Sequence, residues 1–149
     1  MRIDSSPVYL DTSALAKLFL PEADSDEVEE AVRGRNDLLL SDLAVTEFVS
    51  VVVRRVREGS LRSPEARRLH QRLLRDLAGG EFLRVDATEP CHREAERLLF
   101  ALGERTPLRA ADALHLALAS VAGARALFTF DRRLGGAATA LGGFEIVGH

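Results

Sequence analysis

The chain has 149 residues, which is enough for one domain with a substantial buried core, and we expect residues 1–149 to form a single domain. A hydrophobic content of 46% and a charged content of 29% are ordinary for a globular protein, and a net charge of −3 excludes a strongly basic, histone-like binder of nucleic acids. No apolar run is long enough to span a membrane and the first strand begins too early for a signal peptide, so we expect a cytoplasmic protein without membrane contact.

Strand-like apolar runs alternate with helical segments along the chain. The predicted strands are Val8–Asp11, Asp37–Ser41, Phe82–Asp86, Ala126–Phe130 and Phe144–Val147. The predicted helices are Ser25–Arg33, Val45–Val56, Pro64–Leu77, Thr88–Leu102 and Arg109–Ala122. Four glycines, Gly135, Gly136, Gly142 and Gly143, indicate a loose segment before the last strand. Strands separated by helices predict an α/β fold with three α/β/α layers around a central parallel sheet of about five strands.

One segment, Val45–Val56, is ambiguous because its many β-branched residues also suit a strand. Helical spacing decides the matter: Val45, Val52 and Val56 fall on one face, and Glu47 lies on the opposite face. The segment is therefore predicted to be a helix.

Four acidic residues, Asp11, Glu47, Asp112 and Asp131, stand in apolar surroundings in four separate segments. Carboxylates are rarely buried unless they are paired or bound to a metal ion. Asp11 and Asp131 each lie at the carboxyl end of a predicted strand, where α/β proteins bind ligands if the two strands are neighbours at the point where the strand order reverses. Packed helices can bring Glu47 and Asp112 to the same edge of the sheet. We therefore predict that the four acids form one site.

The ligands of such a site suit a hard divalent cation. Oxygen ligands suit Mg²⁺ or Mn²⁺ rather than Zn²⁺, which prefers histidine or cysteine. The hydroxyl groups of Thr12, Ser13 and Thr129 lie near enough in sequence to orient the acids or a metal-bound water. A metal-activated water can attack a phosphodiester, so phosphodiester hydrolysis is the activity that this pattern favours.

Each acid also has a structural explanation when it is taken alone. Asp11 suits a helix N-cap, Asp131 suits a surface turn with a salt-bridge partner, and Glu47 can pair with Arg54 or Arg55. Asp112 is the hardest to explain in this way, because apolar residues surround it. His115, one helical turn later, either contacts the site or is an ordinary hydrogen-bonded core histidine. Three other acids are excluded from the site as terminal, helix-capping and strand-ending residues: Asp4, Asp42 and Asp86.

The segments around the four acids resemble the PIN-domain family of metal-dependent ribonucleases, and in particular the small VapC-like toxins of toxin–antitoxin pairs. The similarity covers essentially the whole chain and rests on residues 8–15, 41–47, 108–117 and 128–134 in that order. The resemblance implies that Asp11, Glu47, Asp112 and Asp131 coordinate Mg²⁺ or Mn²⁺ and cleave RNA. It also implies a homodimer and a cognate antitoxin whose C-terminal segment covers the active site.

Arginine makes up 19 of the 20 basic residues, a type that suits bidentate phosphate contacts, and we expect Arg54, Arg57, Arg67 and Arg68 to contact RNA. The alternative for each is a solvated helix face. Two other functions stay open. One is an aspartate-dependent phosphohydrolase or phosphotransferase, although Ser13 stands where such enzymes have a second acid and Lys17 is the only lysine. The other is a non-catalytic interaction module that binds a structural ion.

Overall fold

A five-stranded sheet lies at the centre of the computed structural model, which describes residues 1–148. The strands are β1 (Val8–Leu10), β2 (Leu38–Ser41), β3 (Leu83–Val85), β4 (Ala126–Phe128) and β5 (Glu145–Val147). Their order in the sheet is β3-β2-β1-β4-β5, and every neighbouring pair is parallel. All five predicted strands are present, each one or two residues shorter than expected.

Helices connect the strands and cover both faces of the sheet. They are α1 (Thr12–Phe19), α2 (Ser25–Val32), α3 (Asp42–Arg57), α4 (Ser63–Ala78), α5 (Glu89–Leu102), α6 (Ala110–Val121) and α7 (Arg132–Leu141). The five helices predicted above are confirmed with small changes at their ends. The ambiguous segment is α3, which buries Phe48 and Val52 in the core, as the helical spacing predicted.

Successive strand residues face opposite sides of the sheet, and this alternation divides the core into two clusters. Leu10 and Phe128 belong to the cluster formed with α1 to α4. Tyr9 and Leu127 belong to the cluster formed with α5 to α7. The predicted three-layer α/β/α architecture is therefore confirmed.

The loose segment predicted around Gly135 and Gly136 is wrong, because these residues lie inside α7. Asp131 caps the start of this helix, and Leu134, Ala137 and Ala138 bury one of its faces. A Cβ atom at Gly135 would lie 3.8 Å from the side chains of both Thr129 and Ile146, an ordinary packing distance. Burial of a small-residue face against the sheet thus outweighs the low helix propensity of glycine.

The strand order reverses between β1 and β4, which pair in the middle of the sheet. The backbone N–H of Asp11 donates to the carbonyl of Phe128 at 3.2 Å, so the two strand ends stay together where they leave the sheet. Thr129 is fixed next to them because its N–H donates to Val147 at 2.9 Å. Gly148 follows with a φ of +90°, and a Cβ atom there would collide with the carbonyl oxygen of Thr129.

Within residues 1–148, no helix combines the length and the apolar character that crossing a membrane requires.

Candidate active site

One cleft at the carboxyl edge of the sheet brings the four predicted acids together. Asp11, Glu47, Asp112 and Asp131 all line this cleft, which has a volume of about 440 Å³. Asp11 follows β1, Glu47 is delivered by α3, Asp112 by the first turn of α6, and Asp131 precedes α7. The predicted convergence is therefore observed.

Asp11 is the most enclosed of the four, with an exposed fraction of 3%. It accepts hydrogen bonds from the backbone N–H of Ala14 at 2.9 Å, from the hydroxyl of Ser13 at 2.7 Å and from the hydroxyl of Thr129 at 2.5 Å. Burial raises the pKa of Asp11, and these donors only partly oppose the shift. Asp11 is thus both the N-cap that the structural explanation foresaw and a side chain of the cleft.

Glu47 is held by a chain of polar side chains that reaches through the sheet. Its Oε1 accepts from the Thr12 hydroxyl at 2.6 Å and lies 2.5 Å from His115 Nε2. The other ring nitrogen of His115 lies 2.8 Å from the Tyr9 hydroxyl, which is 2.8 Å from Ser41 Oγ. Burial tends to raise the pKa of Glu47, but His115 and Thr12 outweigh it and hold the pKa below its usual value. His115 therefore contacts the site rather than serving only the core.

Asp112 and Asp131 are anchored at the starts of their helices. Asp112 Oδ2 accepts from the backbone N–H of Arg109 at 2.9 Å. The same oxygen lies 2.9 Å from Arg133 Nε, which is buried but not aligned for a hydrogen bond. Asp131 Oδ1 accepts from the N–H groups of Arg133 at 2.9 Å and Leu134 at 3.3 Å. The hydroxyl of Thr129 accepts the N–H of Asp131 at 3.0 Å, so Thr129 links Asp131 to Asp11.

The donor chemistry of the cleft suits a hard divalent ion. The hydrogen bonds of Glu47, Asp112 and Asp131 use one oxygen each, and the second oxygen has no hydrogen-bond donor among residues 1–148. The imidazole of His115 has a partner on each nitrogen, and Cys91 is buried beside the carbonyl of Asp86. Oxygen ligands are thus the ones on offer, as Mg²⁺ and Mn²⁺ prefer.

The acids nevertheless do not form a ready cage. Within the described part of the chain, no group of three or more His, Cys, Asp or Glu side chains stands in an arrangement that could hold a metal ion. Each carboxylate is drawn toward its own donors, and like charges repel one another in the absence of a cation. Mg²⁺ commonly uses one or two carboxylates and keeps several waters, so a complete protein cage is not required.

The predicted RNA-contacting arginines are dispersed. Arg54 lines the cleft, whereas Arg57 is an exposed residue at the end of α3. Arg67 and Arg68 line two other grooves, one beside His70 and one beside Leu20, so the structure does not bring them to the acids.

Ion pairs elsewhere in the structure decide whether Glu47 has an arginine partner and show where the three excluded acids lie. Arg54 pairs with Glu58 and Arg55 with Glu22, so neither pairs with Glu47. The excluded acids lie outside the lining of the cleft; Asp42 and Asp86 both pair with Arg84 on β3, and Asp4 pairs with Arg2.

Four charged residues of the region were not predicted to belong to the site: Lys17, Glu22, Arg55 and Arg133. The first three line the cleft, and Arg133 reaches Asp112. Two features of the sequence could have indicated these residues: Lys17 is the only lysine, and Arg133 lies two residues after Asp131.

Comparison with known proteins identifies the family and relatives of the chain. The PIN domain profile matches residues 8–139. Ribonuclease VapC3 of Pyrobaculum aerophilum is 34% identical over 129 residues, covering 85% of this chain and 91% of the relative. Ribonuclease VapC46 of Mycobacterium tuberculosis is 33% identical over 139 residues, covering 91% of this chain and 92% of the relative.

Two solved structures share the fold. FitAcB from Neisseria gonorrhoeae has a TM-score of 0.69 at 21% identity, and the match covers 94% of this chain and 96% of that one. VapC20 from Mycobacterium tuberculosis, described as a toxin that cleaves the sarcin-ricin loop, has a TM-score of 0.68 at 18% identity and covers 88% and 95%. From its sequence profile and its relatives, this chain belongs to the PIN domain family.

Proposed function

We propose that the protein is a metal-dependent endoribonuclease and the toxin of a toxin–antitoxin module. The observation that carries the proposal is the meeting of Asp11, Glu47, Asp112 and Asp131 in one cleft at the switch point of a PIN fold. The names of the relatives, ribonucleases VapC3 and VapC46, support RNA as the substrate. We also propose that a single domain carries the whole site.

Asp11, Glu47, Asp112 and Asp131 would hold Mg²⁺ or Mn²⁺. Glu47, Asp112 and Asp131 each have one oxygen without a hydrogen-bond donor among residues 1–148, whereas both oxygens of Asp11 are hydrogen-bonded. When bound, such an ion supplies an activated water and stabilises charge on the phosphodiester. The chain's own residues orient the ligands: Thr129 and Ser13 fix Asp11, and His115 and Thr12 fix Glu47. Because the pKa of Glu47 is lowered, this carboxylate stays ionised at neutral pH and is ready to accept a cation.

The proposal also concerns partners. Arg54 lies where it can contact an RNA phosphate beside the acids. Structures with the same fold include VapBC and FitAB complexes, which support an antitoxin as the protein partner. We propose a homodimer as the functional form, and the cytoplasm, where cellular RNA is found, as the place of action.

The test compares two acid-to-amide variants. Asp112→Asn keeps an oxygen for the Arg109 N–H but removes one ligand charge, and Asp42→Asn makes the same change outside the cleft. With mixed RNA and Mg²⁺ or Mn²⁺, we expect cleavage by the wild type and by Asp42→Asn, loss of about 100-fold or more in Asp112→Asn, and none in EDTA. Equal cleavage by both variants would disprove the site.

The same preparations distinguish the alternatives. A phosphohydrolase would release phosphate from a chromogenic monoester and leave RNA intact, and a binding module would do neither. The phosphohydrolase is also disfavoured because Ser13 stands where such enzymes have a second acid.

A further inference from the structure

The end of the cleft opposite the acids is basic and is closed by a single carboxylate. Glu22 Oε1 lies 2.9 Å from Arg55 Nη2, and its Oε2 lies 3.8 Å from Lys17 Nζ. All three side chains are largely enclosed, with exposed fractions of 23% for Glu22, 29% for Arg55 and 13% for Lys17. They line the same cleft as the four acids.

Helix geometry sets the distance between the two ends. Lys17 lies six residues after Asp11 along α1, or about 9 Å at the helical rise. Arg55 lies eight residues after Glu47 along α3, or about 12 Å. Since α1 and α3 pack against each other, their acids meet at the sheet edge and their cations meet farther along the cleft. A single strand laid along the cleft would therefore place one phosphate at the acids and a nearby phosphate at the basic end.

The basic end of the cleft carries more positive than negative charge. Two cations face one carboxylate, and the nearby Arg54 has only a long contact of 3.9 Å to the exposed Glu58. The guanidinium group of arginine binds a phosphate in the same forked geometry that it uses for a carboxylate. Phe130 also lines the cleft, and its ring holds the ammonium group of Lys17 at this end, with Nζ 4.7 Å from the ring centroid.

We propose that Lys17 and Arg55 form a subsite for a backbone phosphate of the RNA strand next to the scissile bond, and that Glu22 occupies this subsite when RNA is absent. The carboxylate of Glu22 takes the place of the phosphate, and binding of RNA displaces it. This inference rests on RNA being the substrate, as proposed above.

A purely structural role for the ion pairs makes a different prediction. If Glu22 only fastened the loop between α1 and α2 to α3, its neutralisation would lower thermal stability and leave RNA affinity unchanged. If Glu22 competes with phosphate, its neutralisation raises RNA affinity. Affinity for RNA therefore separates the two roles.

The experiment measures binding of a fluorescein-labelled oligouridylate to the full chain by anisotropy in EDTA, where no cleavage occurs. We expect Glu22→Gln to bind about 3- to 10-fold more tightly than the wild type. The matched control Glu94→Gln makes the same change of net charge in an ion pair on α5, outside the lining of the cleft, and should have no such effect.

Removal of the cations should have the opposite effect. We expect Arg55→Met and Lys17→Met to weaken binding about 5- to 20-fold and to reduce the slope of log affinity against log salt by about 0.7 for each phosphate that is no longer neutralised. Arg97→Met, which breaks the exposed ion pair with Glu94, serves as the control. Adding Arg55→Met to Glu22→Gln should abolish the gain. Thermal unfolding of every variant checks that it folds.

The outcomes separate the two levels of the proposal. If the wild type cleaves RNA but Glu22→Gln binds the oligonucleotide no better than Glu94→Gln does, the subsite is wrong and the ribonuclease assignment stands. If no variant binds RNA and none cleaves it with metal, the ribonuclease assignment itself fails.

Discussion

Thr129 offers the sharpest test of how the cleft is held together. Its hydroxyl donates to Asp11 Oδ2 at 2.5 Å and accepts the N–H of Asp131 at 3.0 Å, and the residue is only 2% exposed. The variant Thr129→Val keeps the branched shape but removes both hydrogen bonds. Thr129→Ser keeps the hydroxyl and loses one methyl group, so it is the matched control.

The expected cost follows from the two bonds. Loss of a hydrogen bond to a charged carboxylate costs about 1.5–3 kcal/mol, and loss of the bond from the Asp131 N–H costs about 0.5–1.5 kcal/mol. The free energy of unfolding of Thr129→Val should therefore fall by roughly 2–4.5 kcal/mol, a decrease of Tm on the order of 5–15 °C for a chain of this size. Thr129→Ser should lose about 1 kcal/mol for the missing methyl group.

The loss should depend on pH in a defined direction. Burial already raises the pKa of Asp11, and removing the Thr129 donor raises it further. A carboxyl group whose folded pKa lies above its unfolded value binds protons in the folded state, so stability falls as pH rises through that interval. Thr129→Val should thus be most unstable at neutral and alkaline pH and recover part of the loss under mildly acidic conditions.

Thermal unfolding in EDTA across this range, followed by circular dichroism, measures the effect. Cleavage assays with Mn²⁺ show in parallel whether a less ionised Asp11 lowers the apparent affinity for metal. If Thr129→Val and Thr129→Ser have the same Tm at every pH, the hydroxyl does not stabilise Asp11 and the argument is refuted.

Two further predictions concern the N-terminal segment and the caps. Arg35 lowers the pKa of Asp37. At Glu145, burial is outweighed by the N–H groups of Asp4 and Ser5, which lower the pKa of this carboxyl group. The stability that both shifts contribute is present above the unfolded pKa values near pH 4 and is lost as the pH falls through the folded pKa values. We expect residues 1–6 to become accessible to protease below about pH 4, before the chain unfolds. The variant Glu145→Gln should show the same accessibility already at neutral pH, because it weakens the hydrogen bonds to Asp4 and Ser5. Protection of this segment at low pH would contradict the prediction. At the start of α7, Asp131→Ala should lower the free energy of unfolding by about 0.5–2 kcal/mol, whereas Asp131→Asn keeps the cap. Both variants should lose RNA cleavage. Equal Tm values for the two variants would contradict the role of Asp131 as a cap.

The sequence predicted the sheet, and it predicted the meeting of the acids on the condition that the strands before Asp11 and Asp131 are neighbours, which the structure shows them to be. Asp11 directly follows β1 and Asp131 lies three residues after β4, and parallel strands that pair at a switch point bring the segments that follow them close together. Glu47 and Asp112 followed from helices whose apolar spacing requires them to pack on that sheet. Periodicity and strand order thus contain most of the information about where the carboxylates lie.

The failures have a different origin. The helix at Arg132–Leu141 was missed because glycine disfavours helices locally, whereas close packing against the sheet decides the structure there. The partners of Arg54 and Arg55 were also not predictable, since a long side chain on a helix face can reach several acids and tertiary packing selects one. The helix of Arg67 and Arg68 was predicted, but the grooves that they line were not, and their contact with RNA stays a prediction.

Helix starts explain how a cluster of four acids can exist in a folded protein. Asp11 and Asp131 cap α1 and α7, and Asp112 accepts an N–H at the start of α6. A helix N-terminus carries partial positive charge and offers unpaired N–H donors, so three helices together offset part of the repulsion among the carboxylates. The structural explanation of each acid as a cap and its explanation as a metal ligand are therefore not alternatives. The caps hold one oxygen each of Asp112 and Asp131 in place, and the other oxygen of each, together with the free oxygen of Glu47, would be available to the proposed cation.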